Sequence, residues 1–359
     1  MKHINRRSFI KGSSLVGMTS IVSAGAAANV LAGSSQAKQN TNNLENSIAG
    51  KFTYNKKGKF KIVQFTDTHY VSGNPKSERA LKNINYILDS EKPDLVIHTG
   101  DAIFGRPAKA SMLEVMKPMS KRKIPFAITF GNHDDEFGKS RSELYDIIKG
   151  IPHNTMGTNP EITGMGNSIL TISAKDTDKP EHVLYLFDSN AYSTIKGVKG
   201  YGHIHHDQID WYRQNSQSFA TNNEGKPVPA LAFFHIPIPE YADAATNGGS
   251  LLIGTRGERV CCPAVNSGLF VSMKEMGDIQ GVFVGHDHNS DFAVYWNKIL
   301  LCYGRFSGCD TVYNNLKPNG ARVIELSEGK EGFDSWIHLY DDRDVIHKLQ
   351  FPEDFKWKK

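Results

Sequence analysis

Cysteine is scarce in this 359-residue chain, and no Cys-x-x-Cys pair indicates a zinc ribbon or a redox site. The four cysteines are Cys261, Cys262, Cys302 and Cys309. Adjacent cysteines rarely pair with each other, so a short Cys302–Cys309 bridge and free buried thiols both remain open. Thiol chemistry is therefore not indicated.

Net charge and long hydrophobic runs are also missing after residue 37. Four of the 42 Lys and Arg residues lie in residues 1–37, which contain no Asp or Glu, so the remaining 38 basic side chains match 38 acidic ones. This balance does not indicate a nucleic-acid-binding surface. No later segment is long and apolar enough to cross a bilayer. We find no internal repeat and expect one compact domain.

Residues 1–37 have the organisation of an export signal. A basic start precedes a mildly apolar stretch rich in Ala, Gly and Ser, and Ser35-Gln36-Ala37 is a candidate cleavage site. The run NRRSFIK at residues 5–11 resembles a twin-arginine signal. It implies a bacterial protein exported to the periplasm or the cell exterior, which meets the membrane only transiently. An ordinary secretory signal or a membrane anchor remains the alternative.

After residue 59, apolar strands alternate with amphipathic helices, as is typical of βαβ units. The predicted strands are 60–65, 94–99, 125–130, 168–172, 183–187, 231–234 and 282–284, with a hairpin at 321–326 and 335–339. The predicted helices are 77–90, 108–120, 141–149, 207–217 and 267–276. The division that follows is a signal at 1–37, a polar linker at 38–58, a domain at 59–345 and a tail at 346–359.

Five short polar motifs follow predicted strands. They are Asp67-Thr68-His69, Gly100-Asp101, Gly131-Asn132-His133-Asp134, His235 and Gly285-His286-Asp287-His288. Loops at the carboxyl ends of strands converge in open α/β sheets, so we expect these motifs to share one cleft. Carboxylate, imidazole and amide donors without thiolates suit borderline or hard metal ions. An aspartate has two oxygens and is able to bridge two cations.

The ordered set resembles the calcineurin-like metallophosphoesterase superfamily, which includes purple acid phosphatases. The family pattern is D-x-H, G-D, G-N-H-[DE], H and G-H-x-H, and the region from Phe60 to about Asp310 reproduces every element. The resemblance implies an α/β fold of four αββα layers, with two central mixed β-sheets flanked by helices. It also implies a hydrolase that acts on small phosphomonoesters or phosphodiesters.

The same resemblance implies two divalent or trivalent metal ions, which would be manganese, iron, zinc or a mixed pair. The residues that would hold one ion are Asp67, His69, Asp101 and His288. The residues that would hold the other are Asp101, Asn132, His235 and His286, with Asp101 as the bridge. Purple acid phosphatases have an iron-binding tyrosine where this chain has Phe104, and they lack a histidine at the position of His69. An iron–tyrosinate centre is therefore not expected.

The implied mechanism is in-line attack on phosphorus by metal-bound hydroxide, without a covalent enzyme intermediate. His133 matches the family's non-ligand histidine, which would stabilise phosphoryl charge or protonate the leaving oxygen. Asp134 would either orient His133 through a hydrogen bond or cap a helix. Arg305, which follows shortly after the Gly-His-Asp-His motif, is the best arginine candidate for phosphate contact.

Two other functions remain open. The segment His203-Ile204-His205-His206-Asp207 nearly matches the ligand signature of metallo-β-lactamase-like hydrolases, but its last position is Gln208 rather than histidine. This departure favours a surface role or a place on a substrate-facing rim. The other alternative is a non-catalytic, exported metal-binding or interaction protein. The presence of His133 argues against it, because a site that only binds metal does not need this residue.

Overall fold

The computed structural model describes residues 47–340 and 345–356. The strands in these ranges are Ile48–Thr53 (β1), Lys59–Phe65 (β2), Leu95–Thr99 (β3), Phe126–Thr129 (β4), Ser168–Ser173 (β5), Pro180–Leu186 (β6), Ala230–Phe233 (β7), Leu252–Ile253 (β8), Ile279–Val284 (β9), Ala293–Trp296 (β10), Ile299–Tyr303 (β11), Gly320–Ser327 (β12), Phe333–Leu339 (β13) and Val345–Phe351 (β14). The α-helices are Glu78–Glu91 (α1), Ala108–Lys121 (α2), Arg141–Lys149 (α3), His206–Asn222 (α4), Glu240–Thr246 (α5) and Leu269–Met276 (α6). None of the helices in the described ranges has the length and apolar character needed to span a membrane.

The strands form two mixed sheets. The eight-stranded sheet has the order β1-β5-β6-β7-β9-β11-β10-β8, and the six-stranded sheet has the order β14-β13-β12-β2-β3-β4. In the six-stranded sheet, β2, β3 and β4 are parallel, as the βαβ pattern predicts, and β12 pairs antiparallel with β2. In the eight-stranded sheet, β6, β7, β9 and β11 are parallel neighbours.

The sheets pack face to face, with helices on their outer faces. Strand alternation sends Leu184 and Leu231 into the core between the sheets, whereas Val183 and Ala230 belong to a second core on the outer face. This second core also contains Tyr212 of α4. Helices α1, α2 and α3 pack against the six-stranded sheet. The predicted four-layer αββα architecture is confirmed.

A buried arginine fastens the two sheets together. Arg322 lies in β12 of the six-stranded sheet, and its Nε donates to the carbonyl oxygen of Tyr303 in β11, at 2.7 Å. Its Nη2 donates to the carbonyl oxygen of Asp291, at 2.6 Å. Since Arg322 is 0% exposed, these bonds offset the cost of burying its charge. They tie the register of one sheet to that of the other.

Two of the expected boundaries are wrong. Residues 38–58 are not all linker, because Ile48–Thr53 is the edge strand β1, paired parallel with β5. Residues 346–359 are not simply a tail, because Val345–Phe351 is strand β14, paired antiparallel with β13. Both strands alternate only weakly between apolar and polar residues. They form by backbone pairing with a neighbouring strand, which a local sequence pattern does not reveal. The export signal expected at 1–37 lies outside the described residues.

The cysteines form no bridge. All four are free thiols, and Cys302 and Cys309 are buried. Burial raises the pKa of Cys302 to about 12, so its thiol stays protonated at neutral pH. Of the two alternatives left open by the sequence, the structure shows free thiols rather than a Cys302–Cys309 bridge.

Candidate metal centre

The five polar motifs meet where the two sheets present the carboxyl ends of their parallel strands. The six-stranded sheet contributes the residues that follow β2, β3 and β4, namely Asp67, His69, Asp101, Asn132 and His133. The eight-stranded sheet contributes the residues that follow β7 and β9, namely His235, His286 and His288. The candidate centre is therefore assembled across both layers of the sandwich.

Four of the expected ligands have a left-handed backbone conformation that is uncommon outside glycine. The φ angles are 54° at Asp67, 47° at His69, 50° at Asp101 and 80° at His286. Such conformations cost roughly 1–3 kcal/mol each and persist only where the surrounding structure imposes them. They concentrate at functional sites, and here they turn each side chain out of a strand end toward a shared space.

Two glycines allow the motifs to approach one another closely. A Cβ atom at Gly131 would overlap the carboxylate of Asp101, and one at Gly285 would overlap the hydroxyl of Thr66 and the carboxylate of Asp67. The glycines of the third and fifth motifs therefore belong to the packing of the centre.

Three of the expected ligands form one compact group. The ligand atoms of Asp67, His69 and His288 all lie within 4.8 Å of one another. The Nε2 atoms of His69 and His288 are 3.0 Å apart, and they lie 3.8 Å and 3.6 Å from Oδ1 of Asp67. All three residues are buried, with at most 6% exposed. This geometry brings together three of the four residues of the first predicted set.

A second group lies beside the first and is joined to it by Asp101. The ligand atoms of Asp101, His235 and His286 lie within 4.8 Å of one another. Oδ2 of Asp101 is 3.2 Å from Nε2 of His235 and 3.7 Å from Nε2 of His69. Oδ1 instead accepts a hydrogen bond from the backbone N–H of His133, at 2.8 Å. One oxygen, rather than the expected two, therefore faces both groups.

The tautomers of two histidines show that the donors fit cations. Nδ1 of His235 lies 2.7 Å from the carbonyl oxygen of Thr99, and Nδ1 of His288 lies 2.9 Å from that of Tyr313. A carbonyl only accepts, so each Nδ1 carries a proton and Nε2 is the nitrogen whose lone pair is left for a metal when the ring is neutral. The lone pair of His235 then faces the carboxylate of Asp101, which is repulsive unless a cation or a proton lies between them. Metal-binding histidines commonly show this outer hydrogen bond.

Asn132 provides a further potential metal ligand, the oxygen of its side-chain amide. Its Oδ1 is buried and has no hydrogen-bond partner among the described residues, whereas its Nδ2 lies 3.4 Å from the hydroxyl of Tyr192. A buried amide oxygen without a partner is costly. A metal ion would satisfy it, which is what the expected role of Asn132 in the second ligand set requires.

At neutral pH two histidines of the centre are neutral, as metal binding requires, whereas His235 holds a proton. Burial lowers the pKa of His286 to about 3 and that of His288 to about 4. Burial also acts to lower the pKa of His235, but the charges of Asp101 and Asp67 outweigh it and raise that pKa to about 9. Neutral imidazoles and ionised carboxylates are the forms that bind metals, and a cation would replace the proton on His235.

Asp134 does neither of the things expected of it. Its carboxylate accepts four backbone N–H bonds, from Gly131 at 2.8 Å, Asp101 at 3.0 Å, Ala102 at 2.8 Å and Ile103 at 3.1 Å. All four donors lie in the turns after β3 and β4. Asp134 therefore fixes the backbone beneath the candidate centre, and the expectation that it orients His133 or caps a helix is wrong.

His133 instead pairs with Glu136, a residue that the sequence reasoning missed. Nδ1 of His133 lies 2.7 Å from Oε2 of Glu136, and the ring edge packs against Phe104 and His69. The side chain of His133 is 31% exposed, so it reaches the surface beside the two buried groups. The signal for the pairing was the three-residue spacing between the two side chains, which one turn brings together.

Arg305 is committed to the fold, so the expectation that it contacts phosphate is wrong. Its guanidinium is 2% exposed and donates to Asp291 at 2.6 Å and to the carbonyl oxygens of Leu316 and Pro318. A buried arginine with these partners holds loops together rather than meeting a substrate.

The histidine-rich segment at 203–207 forms no comparable centre. The rings of His203 and His205 stack on each other with centroids 4.5 Å apart, and Asp207 accepts hydrogen bonds from Thr163. In the part of the chain that the structure describes, the two groups of potential ligands are those built around Asp67 and Asp101. The segment instead leads into α4, which begins at His206.

The solved structure of a dimetal phosphatase from Danio rerio shares this fold. It superposes with a TM-score of 0.54 at 12% sequence identity, covering 81% of this chain and 99% of that one. At this identity the likeness concerns the fold alone.

Sequence comparison identifies relatives along most of the chain. Probable inactive purple acid phosphatase 29 of Arabidopsis thaliana is 30% identical over 318 residues, which are 80% of this chain and 81% of the relative. Phosphatase DCR2 of Saccharomyces cerevisiae is 36% identical over 334 residues, which are 82% of this chain but 56% of that longer protein. The family model for calcineurin-like phosphoesterases matches residues 60–290. This chain therefore belongs to the calcineurin-like phosphoesterase family.

Proposed function

We propose that this protein hydrolyses phosphomonoesters or phosphodiesters at a pair of metal ions. The observation that carries the proposal is the shared oxygen of Asp101, which faces two adjacent buried groups of imidazole and carboxylate donors. The family acts on phosphate esters. When bound, two cations would lower the pKa of a coordinated water and neutralise charge on the phosphoryl oxygens.

Each ion would take ligands from both sheets. The residues proposed for the first are Asp67, His69, Asp101 and His288, and those proposed for the second are Asp101, Asn132, His235 and His286. Nitrogen and oxygen donors without sulfur suit manganese, iron, zinc or a mixed pair. Phe104, whose ring packs edge-on against that of His69, offers no ligand atom.

His133 is the proposed catalytic residue outside the ligand sets. Its ring lies 5.7 Å from that of His69, at the edge of the first group, and its partial exposure leaves it accessible to a substrate. With Nδ1 bound to Glu136, its Nε2 is the atom available to a phosphoryl or leaving oxygen. Groups in this position contribute by orienting the ester and by moving a proton to the departing alcohol.

Metal analysis together with ester hydrolysis tests the proposed function. We expect about two ions per purified chain, consistent with a two-metal site. We expect turnover of 4-nitrophenyl phosphate, of bis(4-nitrophenyl) phosphate or of both. Chelation should abolish turnover, and manganese, zinc, iron or cobalt should restore it. A chain that binds metal but turns over neither ester with any of these ions would instead be a non-catalytic binding protein.

We also propose that residues 1–37 direct export by the twin-arginine route to the periplasm or the cell exterior. The support is the NRRSFIK run followed by an apolar stretch and a small-residue cleavage site. Replacing Arg6 and Arg7 by lysine in the full chain should leave uncleaved precursor in the cytoplasm on cell fractionation. Equal export of this variant and the parent would contradict the route.

A further inference from the structure

The carboxylate of Glu136 lies between two side chains that are far apart in the sequence. Its Oε2 is 2.7 Å from Nδ1 of His133, and its Oε1 accepts a hydrogen bond of 2.7 Å from the hydroxyl of Tyr192. Both oxygens are therefore engaged, and the carboxylate cannot turn without losing one of the two bonds. Such a fixed acceptor limits the ring of His133 to one orientation.

The same tyrosine hydroxyl also reaches the proposed amide ligand. Nδ2 of Asn132 lies 3.4 Å from the hydroxyl oxygen of Tyr192, and the opposite atom of the amide, Oδ1, is buried without a protein partner. A contact through Nδ2 leaves Oδ1 free for the metal that the proposed function assigns to it. One hydroxyl thus contacts both the amide of Asn132 and the carboxylate of Glu136, which pairs with His133.

Tyr192 lies in the loop between β6 and α4, and contacts within and around this loop hold it in place. A backbone bridge pairs it with Tyr201, and the two rings stack with an interplanar angle of 21°. Tyr201 in turn packs edge-on against His286, with centroids 4.3 Å apart. The loop is anchored at its start by Asp188, which forms an ion pair with Arg141 at 2.6 Å. The tyrosine therefore has a supported position, although 47% of it is exposed.

We propose that Tyr192 and Glu136 are positioning residues, which together set the orientation of the catalytic His133 and the amide of Asn132. The inference rests on the role of His133 in the proposed function. Glu136 fixes the ring by accepting from Nδ1, and Tyr192 fixes Glu136 while holding the amide nitrogen. Tyr192, which comes from a distant loop, thereby sets the orientation of both Asn132 and His133.

The dependence on leaving group distinguishes this role from a structural one. A 4-nitrophenolate departs without assistance, whereas an alkoxide needs a well-placed group beside its oxygen. Misplacing His133 should therefore slow hydrolysis of alkyl esters far more than that of nitrophenyl esters. General loss of folding or of metal would slow both equally.

The experiment compares Tyr192→Phe and Glu136→Gln with the parent on 4-nitrophenyl phosphate and glycerol 2-phosphate, or on the corresponding diesters. We expect kcat for the alkyl ester to fall about tenfold or more and kcat for the nitrophenyl ester to fall less than about threefold. KM and the number of bound ions should be unchanged. Tyr145→Phe is the matched control, because it removes a tyrosine hydroxyl bond to the carbonyl oxygen of Gly157, outside the candidate centre.

Equal losses on both esters, a change confined to KM, or no change would overturn the positioning role. Crystal structures of the two variants add a readout that does not need turnover. We expect the ring of His133 to adopt a second orientation in each variant. If the parent hydrolyses neither ester, the proposed function fails by itself, and an unchanged His133 ring and Asn132 amide in both variants would overturn the inference as well.

Discussion

Asp101→Asn is expected to lower turnover roughly a thousandfold, since metal ions contribute several kcal/mol of transition-state stabilisation and each 1.4 kcal/mol is about tenfold in rate. Oδ2 of Asp101 faces both donor groups, and an amide supplies no negative charge there. The metal content should fall below that of the parent. The measurements are kcat on the better nitrophenyl ester and elemental analysis of the purified variant.

The double variant His203→Ala/His205→Ala is the control for this experiment. It removes two imidazoles that stack on each other and belong to neither donor group. We expect it to keep its metal and most of its activity. Under the metallo-β-lactamase-like alternative the outcome would be reversed, with activity lost in the histidine variant and kept in Asp101→Asn.

His133→Ala is expected to reduce turnover about 10²- to 10⁴-fold, the usual range for a general acid or base. In contrast to Asp101→Asn, it should leave the metal content unchanged, because the ring lies outside both groups. Kinetics and elemental analysis on the same preparation separate the two behaviours. Loss of metal in this variant would identify His133 as a ligand, and undiminished hydrolysis would remove it from the mechanism.

The fold and the meeting of the motifs were predictable because their signals are local. Each motif follows a buried strand, and a strand such as Leu95–Thr99 is recognisable from its own apolar residues. The carboxyl ends of parallel strands lie at the same edge of a sheet, so strand order alone brings Asp67 close to Asp101. The isolated His235 had no neighbouring motif residue and depended on the family pattern.

The side-chain partners were not predictable, because they depend on contacts between distant loops. Asp134 is adjacent to His133 in the sequence, yet its carboxylate is taken by backbone N–H groups of the turn after β3. Tyr192 reaches Glu136 only because the loop after β6 folds back. The sequence makes Arg305 a candidate for phosphate contact, but in the fold its guanidinium binds Asp291. A sequence pattern identifies candidate site residues. It does not reveal the groups elsewhere in the fold that bind their side chains.

The hydrogen bonds of Arg322 between the two sheets also bear on the geometry of the proposed metal centre. The ligand residues are divided between the sheets, so a small slip of one layer past the other changes every distance between the two halves of the centre at once. Resistance to that slip comes from the shared core and from the bonds of Arg322 to Tyr303 and Asp291. We therefore expect substitutions deep in this seam to alter the spacing of the proposed metal ions, and with it the proposed hydrolysis, without changing any residue that would meet an ion or an ester.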